Sequence, residues 1–255
     1  MTTYWKGARP DGWDFYTGRT INYRDALSTG GLVRHPRPNP AAGLCSDGLL
    51  HAGVEPDDVF VGSRIPLSLY RISGEPLAIA DGKVGLTELR VLEEIDPVTV
   101  FKWDYAEAAN PIHPFLIPPP DINQEIKDLL AEWVSVGASI LGSVKDSVWA
   151  SIWASVGASI LNSVWALVGA SVKASVKASD RELVRELVRE SVRASVWAYI
   201  GSMFIPVIDE WKDNYPCASA VALWKLGLVP SCDGAVWKLH GGSDGRVIYT
   251  MPQAR

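Results

Sequence analysis

A thiol, an imidazole and two carboxylates lie close together in sequence in the first half of the chain. Cys45 and His51 stand close together, and Asp57 and Asp58 follow them. A cysteine beside a histidine, with a carboxylate to orient the imidazole, can perform nucleophilic catalysis. The spacing here is not specific to any known hydrolase. We therefore expect Cys45 to be a small buried thiol, and the ring nitrogens of His51 to have hydrogen-bond partners beside a glycine turn. The sequence therefore assigns no catalytic residue.

Arginines near this segment indicate an alternative chemistry. Arg9 precedes the segment and Arg71 lies on a predicted strand after it. The layout of short strands, a Gly-His turn and an Arg-bearing strand distantly resembles that of a nucleotide-transferring enzyme. In such an enzyme Arg9, His51 and Arg71 would line the pocket.

Cysteines and histidines at the two ends of the chain could in principle bind a metal ion together. The candidates are Cys45, His51, Cys217, Cys232 and His240. Zinc sites usually contain cysteine pairs separated by two residues, and no such pair is present in this sequence. We therefore predict neither a metal nor another cofactor.

Basic residues recur at every fourth position in the second half of the chain. They are Lys173, Lys177, Arg181, Arg185, Arg189 and Arg193. On a helix they would lie about 6 Å apart along the axis, so they could contact a phosphate backbone. Glu182, Glu186 and Glu190 lie beside them, as on a solvated helix face, and neutralise half of the charge. Nucleic-acid binding is thus an alternative and is not the favoured function.

The basic row belongs to a four-residue repeat that fills residues 135–202. Seventeen tetrads follow in phase, and sixteen of their second places are Val or Ile. Glu and Arg three and four residues apart favour a helix. A β-solenoid is the alternative, because a period of four is also a multiple of two. It would bury Asp180 and several glutamates, which is costly for unpaired carboxylates.

A helix with this period has a geometric consequence. Four residues turn about 400°, so the valine stripe drifts about 40° around the helix with each tetrad. One straight helix could not keep the stripe against a single partner. We therefore predict either a helical hairpin, broken near Gly157–Asn162 and Leu167–Gly169, or a bundle of several chains.

Large apolar side chains in the repeat are the expected interaction anchors. They are Trp149, Trp153, Trp165, Trp197, Val148, Val164 and Val196. Tryptophan in such a stripe more often packs against protein than stacks on a ligand. The favoured function is therefore non-enzymatic: the repeat drives assembly of a homo-oligomer or binds another protein.

Composition restricts the partners and the compartment. The chain has 255 residues, a net charge of −5 and three cysteines. A negative net charge gives no general attraction to nucleic acid or to anionic membranes. Sparse cysteines and the lack of a signal-peptide pattern predict a cytoplasmic protein, and the charged repeat predicts no membrane span.

The predicted fold class is α+β, with four segments that differ in composition. They are a small α+β domain at 1–110, a Pro-rich linker at 111–120, the helical repeat segment at 121–203, and a helix plus a hairpin at 204–255. The elements predicted in the first domain are strands at Val59–Val61, Leu67–Ile72 and Glu88–Leu92, and helices at Tyr23–Ser28 and Pro56–Phe60. The elements predicted in the last segment are a helix near Ala218–Leu226 and a hairpin joined by Gly241–Gly245.

Several of these segments resemble an uncharacterised family of phage and bacterial proteins. The likeness rests on TYWKGARPDGWDFYTG, on LCSDGLLHAGVEPDDVFVG and on the ending LGLVPSCDGAVWKLHGG. Cys45, Gly48, His51 and Ala52 match the family's turn before a strand, with one additional residue after Gly48. The resemblance implies a phage or mobile-element origin, a bacterial host and a helical tetrapeptide tract, and it brings no established activity.

Overall fold

A computed structural model of the protein describes residues 2–41, 43–44, 47–136, 156–175 and 181–252. The chain divides into two compact units, Met1–Ala109 (unit 1) and Asn110–Arg255 (unit 2). Both units combine strands and helices, so the protein is broadly α+β. The predicted fold is nevertheless wrong, because unit 1 contains a large antiparallel sheet of seven strands and the described residues form no long repetitive helical segment.

Unit 1 is built on one large antiparallel sheet. Its strands are β1 (Thr3–Ala8), β2 (Leu32–Arg34), β3 (Leu50–Gly53), β4 (Ser68–Ser73), β5 (Ala78–Ala80), β6 (Lys83–Leu86) and β7 (Glu88–Ile95). Its helices are α1 (Tyr23–Ser28), α2 (Pro97–Val100) and α3 (Tyr105–Ala109), with a 3-10 helix at Pro56–Val61. Over the described residues the strand order is β2-β7-β4-β1-β3-β6-β5.

The two neighbours of the central strand β1 pair with it very unequally. β1 pairs with β4 along its whole length, from Thr3 opposite Ser73 to Ala8 opposite Ser68. With β3, the pairing among described residues is confined to Trp5 opposite Gly53. The sheet therefore opens between β1 and β3, and a cleft can form there.

One face of the sheet carries the core of unit 1. Tyr4 and Ala8 of β1 share this face, since alternate residues of a strand point the same way, and both are buried. Tyr23 of α1 packs here with its ring 5.9 Å from that of Tyr70 on β4. Lys6 lies between Tyr4 and Ala8 in the same alternation, so a lysine enters an otherwise apolar face.

Glycines allow other segments to lie directly on the opposite face. A Cβ atom at Gly53 would lie 2.8 Å from the Cβ of Asp58, which belongs to the 3-10 helix. A Cβ atom at Gly85 would lie 2.7 Å from Cδ1 of Leu49. Approach this close requires residues without side chains.

The sequence predicted some of the longer elements of unit 1, but it missed β1 and the short strands. Strands β4 and β7 and helix α1 are confirmed, and Asn22 caps α1 by accepting hydrogen bonds from Arg24 and Asp25. The predicted strand at Val59–Val61 is wrong because these residues continue the 3-10 helix begun by Pro56. The sequence therefore did not predict that these strands would join one sheet of seven strands.

Unit 2 combines the described part of the repeat with the C-terminal segment. Its helices are α4 (Gln124–Val136), α5 (Ala158–Ser175), α6 (Arg181–Ser202), α7 (Asp209–Lys212) and α8 (Ala218–Lys225). Among its described residues, 3-10 turns also lie at Pro114–Leu116 and Ile205–Val207. Its strands β8 (Val229–Cys232), β9 (Val236–Gly241) and β10 (Arg246–Pro252) form a sheet in the order β10-β9-β8.

Helix α6 is the central element of unit 2. Its last turns, residues 194–201, are buried on every side. Tyr199 stacks on Trp224 of α8 with 5.1 Å between ring centroids, and its hydroxyl accepts a hydrogen bond from Ile112 N at 2.7 Å. The Tyr215 hydroxyl donates to Ala198 O at 2.7 Å. The end of the repeat is thus fixed inside a folded unit.

The predicted long repetitive helical segment is wrong. Apart from Ser135 and Val136 at the end of α4, and Val156 and Gly157 just before α5, the described residues of the repeat lie in α5 and α6, which pack against each other and against the C-terminal strands. The solenoid alternative is also wrong for these residues. The predicted break at Leu167–Gly169 lies inside α5, and the break at Gly157–Asn162 falls where α5 begins.

Burial of the valine stripe explains this correction. Val164 and Val168 of α5 and Val188, Val192 and Val196 of α6 are fully buried. Two short helices place these side chains against several neighbours of one unit, so the drift of the stripe does not require one long partner. Residues 137–155 and 176–180 lie outside the described part of the chain.

The remaining parts of unit 2 include the Pro-rich segment and the final hairpin. Phe115, within residues 111–120, is buried in unit 2. The helix α8 and the β9–β10 hairpin agree with the elements predicted near the C-terminus. None of the helices in the described residues has the length and apolar character needed to cross a membrane.

Candidate functional site

The opening between β1 and β3 forms a cleft of about 530 Å³ in unit 1. It is lined by residues of both sheet faces, including Lys6 from the core face and His51 from the opposite face. Side chains from opposite faces can meet only where neighbouring strands separate. The site therefore forms because β1 and β3 pair at Trp5 and Gly53 and do not pair along the rest of β3.

A buried ion pair lies on one wall of the cleft. Lys6 Nζ lies 3.0 Å from Asp14 Oδ1, and the two side chains are only 12% and 10% exposed. The Asp14 carboxylate also accepts hydrogen bonds from the backbone of Tyr16 and Thr17, each at 2.9 Å. The pair thus fixes the loop that follows β1.

Both members of this pair are held in their charged forms. Burial opposes the charge of Lys6, but Tyr23 and Asp14 outweigh it and raise the pKa of Lys6. Burial likewise opposes the charge of Asp14, but Lys6 and the backbone donors lower the pKa of Asp14 overall. Lys6 also lies 5.2 Å from the centre of the Tyr23 ring, which is fully buried.

His51 and Lys83 lie at the other side of the cleft, on β3 and β6. Burial, followed by the charges of Lys83 and Lys6, lowers the pKa of His51 to about 4. The imidazole is therefore neutral at physiological pH. A neutral imidazole can donate one hydrogen bond and accept another.

An exposed aromatic ring stands at the mouth of the cleft. Tyr16 is 86% exposed although it is a large apolar side chain. Its backbone N–H is fixed by Asp14, so the ring is exposed on an anchored loop. Arg37 and Asp47 also lie at the mouth and are exposed. Such a rim can stack on a planar ring and attract charged groups.

Of the three residues proposed from the sequence for a nucleotide pocket, the structure brings His51 into the cleft. Arg9 donates to Asp11 at 2.9 Å, and Arg71 forms an ion pair with Glu93 on β7. Sequence reasoning missed Lys6 and Asp14. Lys6 could have been found from the alternation of β1, because it shares a strand face with the apolar residues Tyr4 and Ala8. A charged residue on such a face is predicted to be buried and to need a partner.

Of the predicted anchors in the described part of the repeat, three are buried in unit 2 and one is partly exposed. Val164 and Val196 are fully buried, and Trp197 is nearly so. Trp165 is partly exposed and lies against Gly169, where it lines a groove between α5 and α6. The other three anchors lie outside the described residues: Trp149, Trp153 and Val148.

The basic row is on the surface where it is described. Arg185, Arg189 and Arg193 of α6 are exposed. Arg193 lies 3.5 Å from Glu190, so acidic neighbours partly neutralise it. Lys173 belongs to α5 and Arg181 to α6, while Lys177 lies outside the described residues.

A serine and a histidine of the C-terminal sheet resemble a catalytic pair in distance only. Ser231 Oγ lies 2.8 Å from His240 Nε2, and His240 Nδ1 lies 2.9 Å from Gly245 O. Both side chains are completely buried, so no substrate reaches them. Their hydrogen bonds join β8, β9 and the turn before β10, which is a structural role.

Among the described residues, no cluster of His, Cys, Asp and Glu side chains could hold a metal ion. Cys45 lies outside these residues. Comparison of the chain with known protein families, with curated proteins and with solved structures found no match. The resemblance to a phage and bacterial family therefore stays a prediction.

Proposed function

We propose that unit 1 binds a small molecule of the nucleotide class, one that combines a planar ring with a negatively charged group. The observation that carries the proposal is the cleft at the split of the sheet, with an exposed aromatic ring at its mouth and basic side chains within it. Ligand sites of this kind are concave and contain a few polar groups that fix the orientation of the ligand.

The mouth of the cleft supports the ring part of the proposal. An exposed tyrosine on a loop held by two backbone hydrogen bonds loses little freedom when a ring stacks on it. Stacking of a base on an aromatic side chain tolerates any base, because each presents a π-face. Tyr16 is therefore the expected contact of the ring.

Calorimetric titration of the full chain with ribonucleosides and their 5′-monophosphates tests this proposal. We expect at least one to bind, and Tyr16→Ala to weaken its binding roughly tenfold through loss of stacking. Tyr249→Ala is the matched control, since Tyr249 lies on β10 in unit 2. Binding that is absent from the whole series, or equal in the two variants, would contradict the proposal.

We propose self-association through the repeat as a second function, which one observation favours. Leu183 and Leu187 of α6 are 69% and 40% exposed, and a spacing of four places them on one helix face. The glutamates that alternate with the arginines make a protein partner more suitable than nucleic acid. A second copy of the chain would bury these leucines.

Light scattering across a range of concentrations tests this second function. We expect wild-type protein to form a defined oligomer and Leu183→Gln/Leu187→Gln to shift it towards the monomer. Leu92→Gln on β7, a similarly exposed leucine of unit 1, is the control. A monomer at all concentrations, or an oligomer that the double substitution leaves intact, contradicts it.

We also infer that the protein works in the cytoplasm of a bacterial host. The small number of cysteines in a chain of this length supports a reducing compartment.

A further inference from the structure

We propose that Asn39 selects the ring of the ligand, by donating a hydrogen bond from its side-chain amide to a keto oxygen at the edge of the ring. Rings with a keto group at that edge then bind more tightly than rings with an amino group in the same place. The inference deepens the proposed function of the cleft and rests on it. Tyr16 contacts the face of the ring, whereas Asn39 distinguishes its edge.

Asn39 lies on the segment between β2 and β3 and lines the cleft with an exposed side chain. Its backbone N–H donates to Gly48 O at 3.0 Å, and Gly48 comes two residues before β3 begins. Tyr16 lies on the loop that follows β1 and also lines the cleft. The two side chains therefore belong to segments attached to the two strands between which the cleft opens.

Prolines on both sides restrict the backbone at Asn39. The neighbours are Pro38 and Pro40. A proline fixes its own φ angle, and it keeps the residue before it out of the helical conformation. Together with the hydrogen bond to Gly48, this leaves the segment little freedom to lose when a ligand binds.

The side chain of Asn39 is also held in one orientation. Ala41 N donates a hydrogen bond to Asn39 Oδ1 at 3.2 Å. Because a backbone N–H can only donate, this contact identifies the oxygen of the amide and places the nitrogen at the other end. The nitrogen carries two hydrogens and accepts no hydrogen bond. A ring that meets this end of Asn39 therefore meets a donor.

Nucleoside rings differ in the group that would meet this donor. Hypoxanthine and uracil carry a keto oxygen where adenine and cytosine carry an amino group, so the former accept a hydrogen bond and the latter donate one. An amino group opposite the Asn39 nitrogen brings two donors together and leaves both without an acceptor. Arg37 and Asp47 also lie at the mouth, so the source of any preference has to be assigned by substitution.

Calorimetric titration of the full chain with two matched pairs of nucleosides tests the inference. The pairs are inosine with adenosine and uridine with cytidine, and each pair differs at the keto or amino position. We expect the keto member of at least one pair to bind roughly fivefold more tightly, which is the effect of one neutral hydrogen bond. Equal affinities within both pairs overturn the inference, and this measurement needs only wild-type protein.

Asn39→Asp tests whether Asn39 is the source of the preference. Aspartate has nearly the same shape and still accepts the hydrogen bond from Ala41 N, but it replaces the two donors with an acceptor. We expect the preference to reverse towards the amino member of the pair. Asn162→Asp is the matched control, since it makes the same change at an exposed position of α5 in unit 2 and should keep the keto preference. If Asn39→Asp keeps it as well, the selection belongs to another donor and the inference is wrong.

The ratio of affinities separates this inference from the proposed function. Tyr16→Ala should weaken both members of a pair by the same factor, because stacking does not depend on the keto group. Asn39→Asp should change the ratio between the members. If nucleosides bind without any keto preference, the proposed function stands and the role of Asn39 fails. If no nucleoside binds, the proposed function fails and the role of Asn39 fails with it.

Discussion

The Lys6–Asp14 ion pair is the residue-scale feature on which the geometry of the cleft depends. A buried pair adds little net stability over an apolar pair, but breaking it leaves an uncompensated charge inside the protein. We therefore expect Lys6→Met to destabilise unit 1 by about 3–5 kcal/mol, since the Asp14 carboxylate stays buried. The double variant Lys6→Met/Asp14→Asn should recover part of this loss, because an amide oxygen still accepts the backbone hydrogen bonds.

Urea unfolding of the wild type, the two single variants and the double variant forms the cycle that measures this coupling. Lys212→Met/Asp209→Asn is the control, because this pair has a short distance of 2.6 Å yet lies on the surface. Removal of this surface pair should change the urea concentration at the midpoint of unfolding only slightly. If the losses of unfolding free energy caused by Lys6→Met and Asp14→Asn simply add in the double variant, the two side chains are not energetically coupled.

At the scale of elements, the sequence predicted those whose patterns are long or capped. Eight residues of β7 show an alternation that can be read, and Asn22 marks the start of α1. Strands β2, β3, β5 and β6 have three or four residues each, too few for a period to appear. Their pairing is decided by neighbours that are distant in sequence.

The repeat shows the same limit in a different form. Its period predicted helix, and both α5 and α6 are helical, but helix length depends on where partners are available. Serine at the first place of a tetrad illustrates this. Ser191 Oγ accepts a hydrogen bond from Cys232 N at 2.9 Å, and Ser195 is fully buried, whereas Leu183 at the equivalent place is exposed. Equal places in the repeat thus have unequal surroundings.

The candidate site could be predicted only in part for a related reason. His51 was identified from its type and its turn, and it does line the cleft. The cleft itself depends on the register of β1 with β3, where Trp5 pairs with Gly53, the last residue of β3, and the rest of β3 is not paired with β1. Register between strands almost fifty residues apart is a tertiary property that a single sequence does not display.

At the scale of the whole molecule, each unit contains a histidine that folding keeps neutral. They are His51 in unit 1 and His240 in unit 2, and burial is the first cause that lowers the pKa of each to about 4. An unfolded histidine has a pKa of about 6.5, so between these values the unfolded chain binds more protons than the folded protein. These two histidines therefore do not reduce the free energy of unfolding above about pH 6.5, and they reduce it progressively as the pH falls towards 4.

The contribution of His240 to this acid sensitivity can be measured as a change in the free energy of unfolding with pH. Because it is completely buried, we expect it alone to reduce the free energy of unfolding of unit 2 by about 2 kcal/mol between pH 7 and pH 5. His240→Gln should flatten that dependence in urea unfolding, since glutamine does not titrate. Ser231→Ala is the matched control, because it removes the hydrogen bond to Nε2 but keeps the imidazole, and its pH dependence should persist. The same slope in wild type and His240→Gln would show that protonation of this buried ring does not limit the acid stability of the protein.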